Sequence, residues 1–210
     1  MRIYNDISKA QGMYSNPNNI IVPTVLDKSQ NVERAYDIFS KLLKDRIIMV
    51  TGEVREDMAS IIVAQLLYLQ SIDSKKPIHM YINSPGGSVV DGLSIIDTMN
   101  YISAPVYTYC MGMCASMGAM ILSQGEKGYR YCLPNGEVMI HQPLGGASGQ
   151  ATDMEIATRR ILKMKENLLK MLAKACDKDF DKVREDCERD YFLEAEEAVE
   201  YGIVDKVLKK

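Results

Sequence analysis

The 210-residue chain has no tryptophan, three phenylalanines and only two histidines, and each scarcity narrows what it can do. His79 and His141 lie far apart, and the five cysteines form no Cys-x-x-Cys pair, so no His/Cys set stands at zinc-site spacing and no metal is expected. Cys110, Cys114, Cys132, Cys176 and Cys187 cannot all be paired in disulfides, which suits a reducing compartment and roles as small core residues. No uninterrupted apolar run reaches membrane-spanning length and the N-terminus lacks the apolar stretch of a signal peptide, so a soluble, cytoplasmic protein without a membrane partner is expected. A formal net charge of -3 with interspersed charges gives no basic footprint for nucleic acid. No glycine-rich loop matches G-x-x-x-x-G-K-[ST], so no nucleotide cofactor is expected on this chain. No linker-like stretch divides it and no repeat of solenoid period occurs, so residues 22–210 are expected to form a single domain. Residues 1–21, polar through Asn16-Pro17-Asn18-Asn19, read as a flexible extension or a removable propeptide.

What is present is an alternation of helix and strand patterns. The spacing predicts a helix over Val32 to Leu43, a strand at Ile47 to Thr51, and a helix over Asp57 to Gln70 with Ile61, Ile62, Leu66 and Leu69 inward. A strand at Ile78 to Asn83, a helix from Ser88 to Ile102 and a strand at Val106 to Cys110 follow. Such βα alternation argues for an α/β fold with a parallel sheet covered by helices.

Chemistry is suggested first by Gly112-Met113-Cys114-Ala115-Ser116-Met117-Gly118, which sets Ser116 between glycines where an apolar strand gives way to a helix start. A nucleophile can stand exposed at such a turn. Close packing of a small residue explains the same pattern. Of the histidines, His79 alternates with Tyr81 and Asn83 on one strand face, whereas His141 closes the apolar run Val138-Met139-Ile140 ahead of a loop, where reactive groups tend to sit. His141 is therefore the better base, although a hydrogen-bonded structural histidine explains its place as well. Asn83-Ser84-Pro85-Gly86-Gly87-Ser88 lies between strand and helix, so its glycines let backbone N–H groups approach a ligand. A plain turn, with Ser88 capping a helix and Asp91 three residues on, explains it too.

After His141 comes the glycine-rich segment Leu144 to Gln150, then Thr152-x-x-Glu155 as a helix start. Met154, Ala157, Ile161, Met164, Leu168 and Leu172 continue at helical steps to about Cys176, a periodicity that a helix packed on its own core explains.

Taken together, Met111-Gly-x-x-Ala-Ser-Met-Gly118, the run Arg130-x-x-x-Pro134-x-x-x-Val138-Met139-Ile140-His141-Gln142-Pro143, the Ser-Pro-Gly-Gly loop, and Arg189-Asp190-Tyr191-Phe192 before Ala195-Glu196-Glu197-Ala198 resemble the ClpP family of Clp protease proteolytic subunits, from about Val22 to Leu208. The resemblance implies a crotonase-like spiral of βα units with a projecting handle helix after residue 151. It implies a serine peptidase with Ser116 as nucleophile, His141 as general base and Asp190 as orienting acid, and the amides of Gly87 and Met117 as oxyanion donors. It further implies two stacked seven-membered rings enclosing a chamber, fed with unfolded polypeptide by an AAA+ unfoldase of the ClpX, ClpA or ClpC type that handles the ATP. Tyr81 and Tyr101 match aromatic docking positions, although ordinary packing explains them as well, and Glu188 with Arg189 matches the acid–Arg pair that bridges the rings. The chain departs from the usual pattern at Cys114, where alanine is common, at Glu188, where aspartate is common, and at His79, often an aromatic position. Two rival readings are a crotonase-fold acyl-CoA enzyme and a catalytically silent ring subunit; an ordered Ser, His and Asp argues against both.

Overall fold

The computed structural model describes residues 22–29 and 32–209; the extension or propeptide expected at 1–21 lies outside them. The chain divides into two compact units, with the boundary between Leu42 and Leu43. In the first, β1 (Thr24–Ser29) and β2 (Val32–Asp37) pair antiparallel, Thr24 opposite Asp37; α1 (Ile38–Lys44) follows and runs across the boundary. The helix expected over Val32 to Leu43 is thus corrected to a strand and a shorter helix. Asp37 explains the break: its carboxylate accepts the Ser40 amide at 2.9 Å and the Ser40 hydroxyl, capping a helix that can start only there.

The second unit runs β3 (Ile47–Thr51), α2 (Glu56–Ile72), β4 (Ile78–Ser84), α3 (Val89–Tyr101), β5 (Val106–Ala115), α4 (Met117–Ser123), β6 (Arg130–Cys132), β7 (Glu137–Ile140), α5 (Ala151–Cys176), α6 (Phe180–Asp186), β8 (Tyr191–Glu194), α7 (Ala195–Tyr201) and β9 (Lys206–Val207). These strands make one seven-stranded sheet in the order β3-β4-β5-β6-β9, with β7 also on β5 and β8 on β7. Every pairing is parallel except that of β7 with β8, so the fold is mixed α/β with a mainly parallel sheet, as the alternation predicts. Ile78, Met80 and Ile82 of β4 are fully buried beside Ile48 and Val50 of β3, and the five cysteines are unpaired and buried.

β5 is the branch point. Its first half pairs with β6 and its second half with β7, and between them the β4 register jumps: Ile82 faces Cys110, yet Ser84 faces Cys114. Gly112, at φ 82°, takes up the extra chain, and the Asn83 side chain accepts the Met113 amide at 3.3 Å in place of a ladder bond. A bulge of this kind bends a strand and raises its twist. Here it turns β5 out of one strand neighbourhood into another, and Ser116 lies at its end.

The helices hold the sheet with the faces the periodicity predicts, with exceptions. α2 buries Ala59, Ile62, Leu66 and Leu69, but Ile61 is 58% exposed; five residues from Leu66, it stands about 140° round the helix, so its expected inward placement is corrected. Arg46 closes the far end of α2, donating to the carbonyls of Leu69, Asp73, Lys76 and Pro77 at 2.9–3.0 Å, which satisfies acceptors that a helix C-terminus leaves open. In α3, Ser88 Oγ accepts the Asp91 amide, while the Ser88 amide goes to Val54, so only half of the expected capping box forms. α5 starts from Gln150 with no side-chain cap, and Glu155 pairs instead with Arg159; the start expected at Thr152 and Glu155 is corrected. Its 26 residues bury only Leu168, Leu169, Leu172, Ala173 and Cys176. Met154 and Ile156, in its first two turns, are exposed, the pattern of a helix anchored at its C-terminal third. One buried charge knits the C-terminal strands: Arg130, 1% exposed, takes both Asp205 oxygens at 2.7 and 3.0 Å and also donates to the Ala175 and Ser123 carbonyls.

Candidate active site

Strand register brings the site together. On the parallel side, Ala115 stands opposite Met139, and the Ser116 amide donates to the Met139 carbonyl at 2.8 Å, so Ser116 lies beside the last residues of β7. On the antiparallel side, Ile140 stands opposite Tyr191, so the next residue of each strand end, His141 and Asp190, face one another. The outcome is one hydrogen-bonded row. Ser116 Oγ lies 2.9 Å from His141 Nε2, and His141 Nδ1 lies 2.9 Å from Asp190 Oδ1. The His141 side chain is 13% exposed and that of Asp190 60%. With Nδ1 donating to the carboxylate, Nε2 is left to accept the serine proton.

Ser116 itself is strained. Its φ of 53° and ψ of -117° fall where a residue with a Cβ is rarely found, and this sharp turn between β5 and α4 carries the hydroxyl clear of both. The Ser84–Gly87 loop packs against the turn through bare backbone. A Cβ on Gly86 would meet the Ser116 Cβ at 2.7 Å and the Met117 nitrogen at 2.9 Å, and one on Gly87 would strike Val54. Val54 is bonded to both neighbours of Gly87, through the Gly86 carbonyl and the Ser88 amide. The Gly87 amide itself has no acceptor among the described residues, and the Met117 amide, at the first position of α4, is one that a helix leaves free. An apolar cavity adjoins Ser116 and His141, walled by Met117, Met120, Ile140, Leu168, Leu169 and Leu172 among others. It offers an apolar side chain a place beside the Ser116 hydroxyl.

The remaining sequence-predicted residues are not members of this row. His79 is on the sheet face away from the core, with Nδ1 2.8 Å from the Tyr109 hydroxyl; burial, and then the Arg46 charge, lowers its pKa. That face is an aromatic ladder in which Tyr81 stacks on Tyr109 with centroids 4.4 Å apart, Tyr109 on Tyr131, and Tyr107 on Tyr129. Burial pushes the Tyr109 phenol up to about 12. Tyr101, at the end of α3, is 83% exposed beside a surface hollow with Leu67 and Asp97, and its ring does not stack with that of Tyr81. Glu188 is engaged within the chain, by Lys165 Nζ at 2.8 Å and by Gln142, while Arg189 is exposed. Cys114 is buried, its Sγ 3.4 Å from the Ile82 carbonyl. Sequence reasoning missed the α5 wall of the cavity and Lys165, because residues 165–172 read only as helix periodicity and nothing local marks their distance from His141.

Comparison with known proteins agrees with this architecture. The family model described as Clp protease matches residues 29–210. The ATP-dependent Clp protease proteolytic subunit of Ligilactobacillus salivarius (strain UCC118) is 54% identical over 189 residues, covering 90% of this chain and 96% of that one. The matched residues take in every strand that converges on Ser116, and the chain belongs to the Clp protease family.

Proposed function

We propose that this chain is the proteolytic subunit of an ATP-dependent Clp protease, a serine endopeptidase that hydrolyses peptide bonds of unfolded proteins. The observation that carries the reading is the unbroken row from Asp190 through His141 to Ser116, with Ser116 in a strained turn. Ser116 Oγ attacks the peptide carbonyl carbon as His141 Nε2 takes its proton, and Asp190 holds the imidazole tautomer and balances the imidazolium. The amides of Gly87 and Met117 receive the oxyanion; one such donor is worth about 2.7–4 kcal/mol in other serine hydrolases. As the C–N bond breaks, His141 protonates the leaving amine. Water then attacks the acyl-enzyme with His141 again as base, and Ser116 regains its proton.

The assembly proposed is two stacked seven-membered rings in the cytoplasm, to which an AAA+ unfoldase of the ClpX, ClpA or ClpC type docks through Tyr81 and Tyr101 and supplies the ATP-driven step. The exposed apolar residues Ile61, Tyr68 and Ile72 of α2 and Met154, Ile156 and Leu162 of α5 support a chain that buries further surface against copies of itself. Glu188 and Arg189 are proposed at the ring contact. Residues 1–21 are proposed as an extension trimmed by Ser116 of the assembled particle; equal intact masses for wild type and Ser116→Ala would refute the trimming. Peptide hydrolysis by the isolated homo-oligomer tests the function, and a particle inert toward unfolded peptides would exclude it.

A further inference from the structure

The ladder that sets His141 against Asp190 ends one step short of them, at the pair Ile140 and Tyr191. Regular sheet bonding therefore holds their backbones on one side only. On the other side stands a polar cluster. The Gln142 amide donates to the Cys187 carbonyl at 2.7 Å, and Gln142 Nε2 donates to the Glu188 carbonyl at 3.0 Å and approaches the Glu188 carboxylate at 3.4 Å. From α5, Lys165 Nζ donates to Gln142 Oε1 and to Glu188 Oε1, each at 2.8 Å. Gln142 directly follows His141, and Glu188 lies two residues before Asp190. One ammonium thus ties together the segments that carry the base and the acid.

Resting on the reading of Ser116, His141 and Asp190 as a peptidase triad, we propose that Lys165 is a positioning residue for hydrolysis, bridging Gln142 and Glu188 so that His141 is clasped against Asp190. Asp190 is 60% exposed, whereas the Lys165 side chain is only 21% exposed. Water competes for the lone pairs of so open a carboxylate, and its 2.9 Å contact with His141 persists only where the backbone delivers it. Lys165 is well placed to hold that backbone, because its half-buried stem leaves α5 one turn before the buried Leu168 and Leu169, where the anchored third of the helix begins. Two acceptors fix its ammonium. As a contribution to stability the pair is minor, because Glu188 is half exposed and such ion pairs add little. As a geometric device it is not minor, since a misplacement of about 1 Å in a reacting group can cost about 100-fold in rate. The hydrogen bond and charge of Lys165 also hold the Glu188 carboxyl below its ordinary range, so the acceptor stays ionised through neutral pH.

Lys165→Met keeps the stem and removes the ammonium, Lys165→Arg restores charged donors, and Lys165→Gln replaces the methionine variant should that fail to fold. Peptide kinetics are measured on particles with the wild-type sedimentation coefficient, beside crystal structures of wild type and variant. The expected result is a fall in kcat of about ten-fold or more with KM within about two-fold, a His141 Nδ1 to Asp190 Oδ1 separation beyond about 3.5 Å, and recovery of most of kcat in Lys165→Arg. Unchanged kcat, or a fall in kcat with the 2.9 Å contact intact, overturns the proposal. A wild-type particle inert toward peptides would overturn the underlying triad reading instead, with lengthening of the contact in Lys165→Met still supporting the clasp.

Discussion

Gly86 stands against Ser116 with no room for a side chain between them: a Cβ at Gly86 would come 2.7 Å from the Ser116 Cβ, and Gly86 holds φ at 93°. The other close atoms are the Ala115 carbonyl and the Met117 nitrogen, which cannot swing aside as a side chain does. Gly86→Ala is therefore predicted to lower stability by about 1–3 kcal/mol through the strained φ and to reduce kcat by about ten-fold or more, because the Met117 amide must shift. Gly146→Ala, where an added Cβ meets no atom of the described residues within 4 Å beyond its own chain neighbours, should leave the melting temperature unchanged. Thermal unfolding beside peptide kinetics reads both; an active, fully stable Gly86→Ala protein would contradict the packing described.

The proposed docking residues separate by environment. Tyr101 is exposed and makes no ring contact among the described residues, while Tyr81 is half-buried and stacked on Tyr109. Tyr101→Ala is predicted to leave melting temperature and small-peptide cleavage unchanged and to lose ATP-dependent degradation of folded proteins. Tyr81→Ala should show the same loss with a stability cost of about 0.5–1.5 kcal/mol from the missing stack. Loss of both activities together in either variant would mark that tyrosine as a packing residue.

The fold and two members of the hydrogen-bonded row were legible in the sequence to the extent that they rest on local pattern, whereas Asp190 came only with the family resemblance. Alternation marked Ile78, Met80 and Ile82 as the buried face of β4, and they are. A serine at a strand-to-helix junction and a histidine at a strand end were visible as Ser116 and His141. What was not legible depends on pairing between distant segments. Val32 to Asp37 has helical spacing but finds a partner in Thr24 to Ser29, and cross-strand pairing overrides a weak helical preference. The extension of β5 through Gly112 to Ala115 is settled by β7, which no periodicity within β5 reports. The same holds for Lys165, whose acceptors lie 23 residues away in either direction along the chain.

Arg189 is exposed and makes no ion pair among the described residues, although it directly precedes Asp190. If it meets a second ring, ring contact and the placement of Asp190 are mechanically linked. Arg189→Ala is predicted to sediment as single rings with peptidase activity reduced about ten-fold or more, because loss of the Asp190 contact frees the imidazole. A double-ringed, fully active variant would show this residue to be only a solvated cation.

Arg130 and Asp205 give a pH dependence. Burial acts to raise the Asp205 pKa, but its bonds to Arg130 and to the amides of Arg130 and Gly128 prevail, and the net shift is downward. A carboxyl lowered on folding contributes stability above the ordinary aspartate range and loses it as pH falls toward the depressed value. The melting temperature should therefore drop on acidification below about pH 4, less steeply in Asp205→Asn. Arg130→Met should cost about 3–5 kcal/mol at neutral pH, by leaving a partly buried carboxylate without its cation. Equal stability of Arg130→Met and wild type at neutral pH would refute the account.

The central claim, that Ser116 is an activated nucleophile served by His141 and Asp190, is tested most directly by fluorophosphonate labelling read by intact mass and peptide mapping, alongside peptide hydrolysis by the same samples. The account predicts a single adduct per chain, on Ser116, in the wild type. It predicts no adduct in Ser116→Ala, strongly slowed labelling in His141→Ala and Asp190→Asn, and a Ser116/His141 double variant no less active than either single one, because the members of such a unit are not additive. An adduct on another residue, or hydrolysis by Ser116→Ala above about a tenth of the wild-type rate, would contradict it.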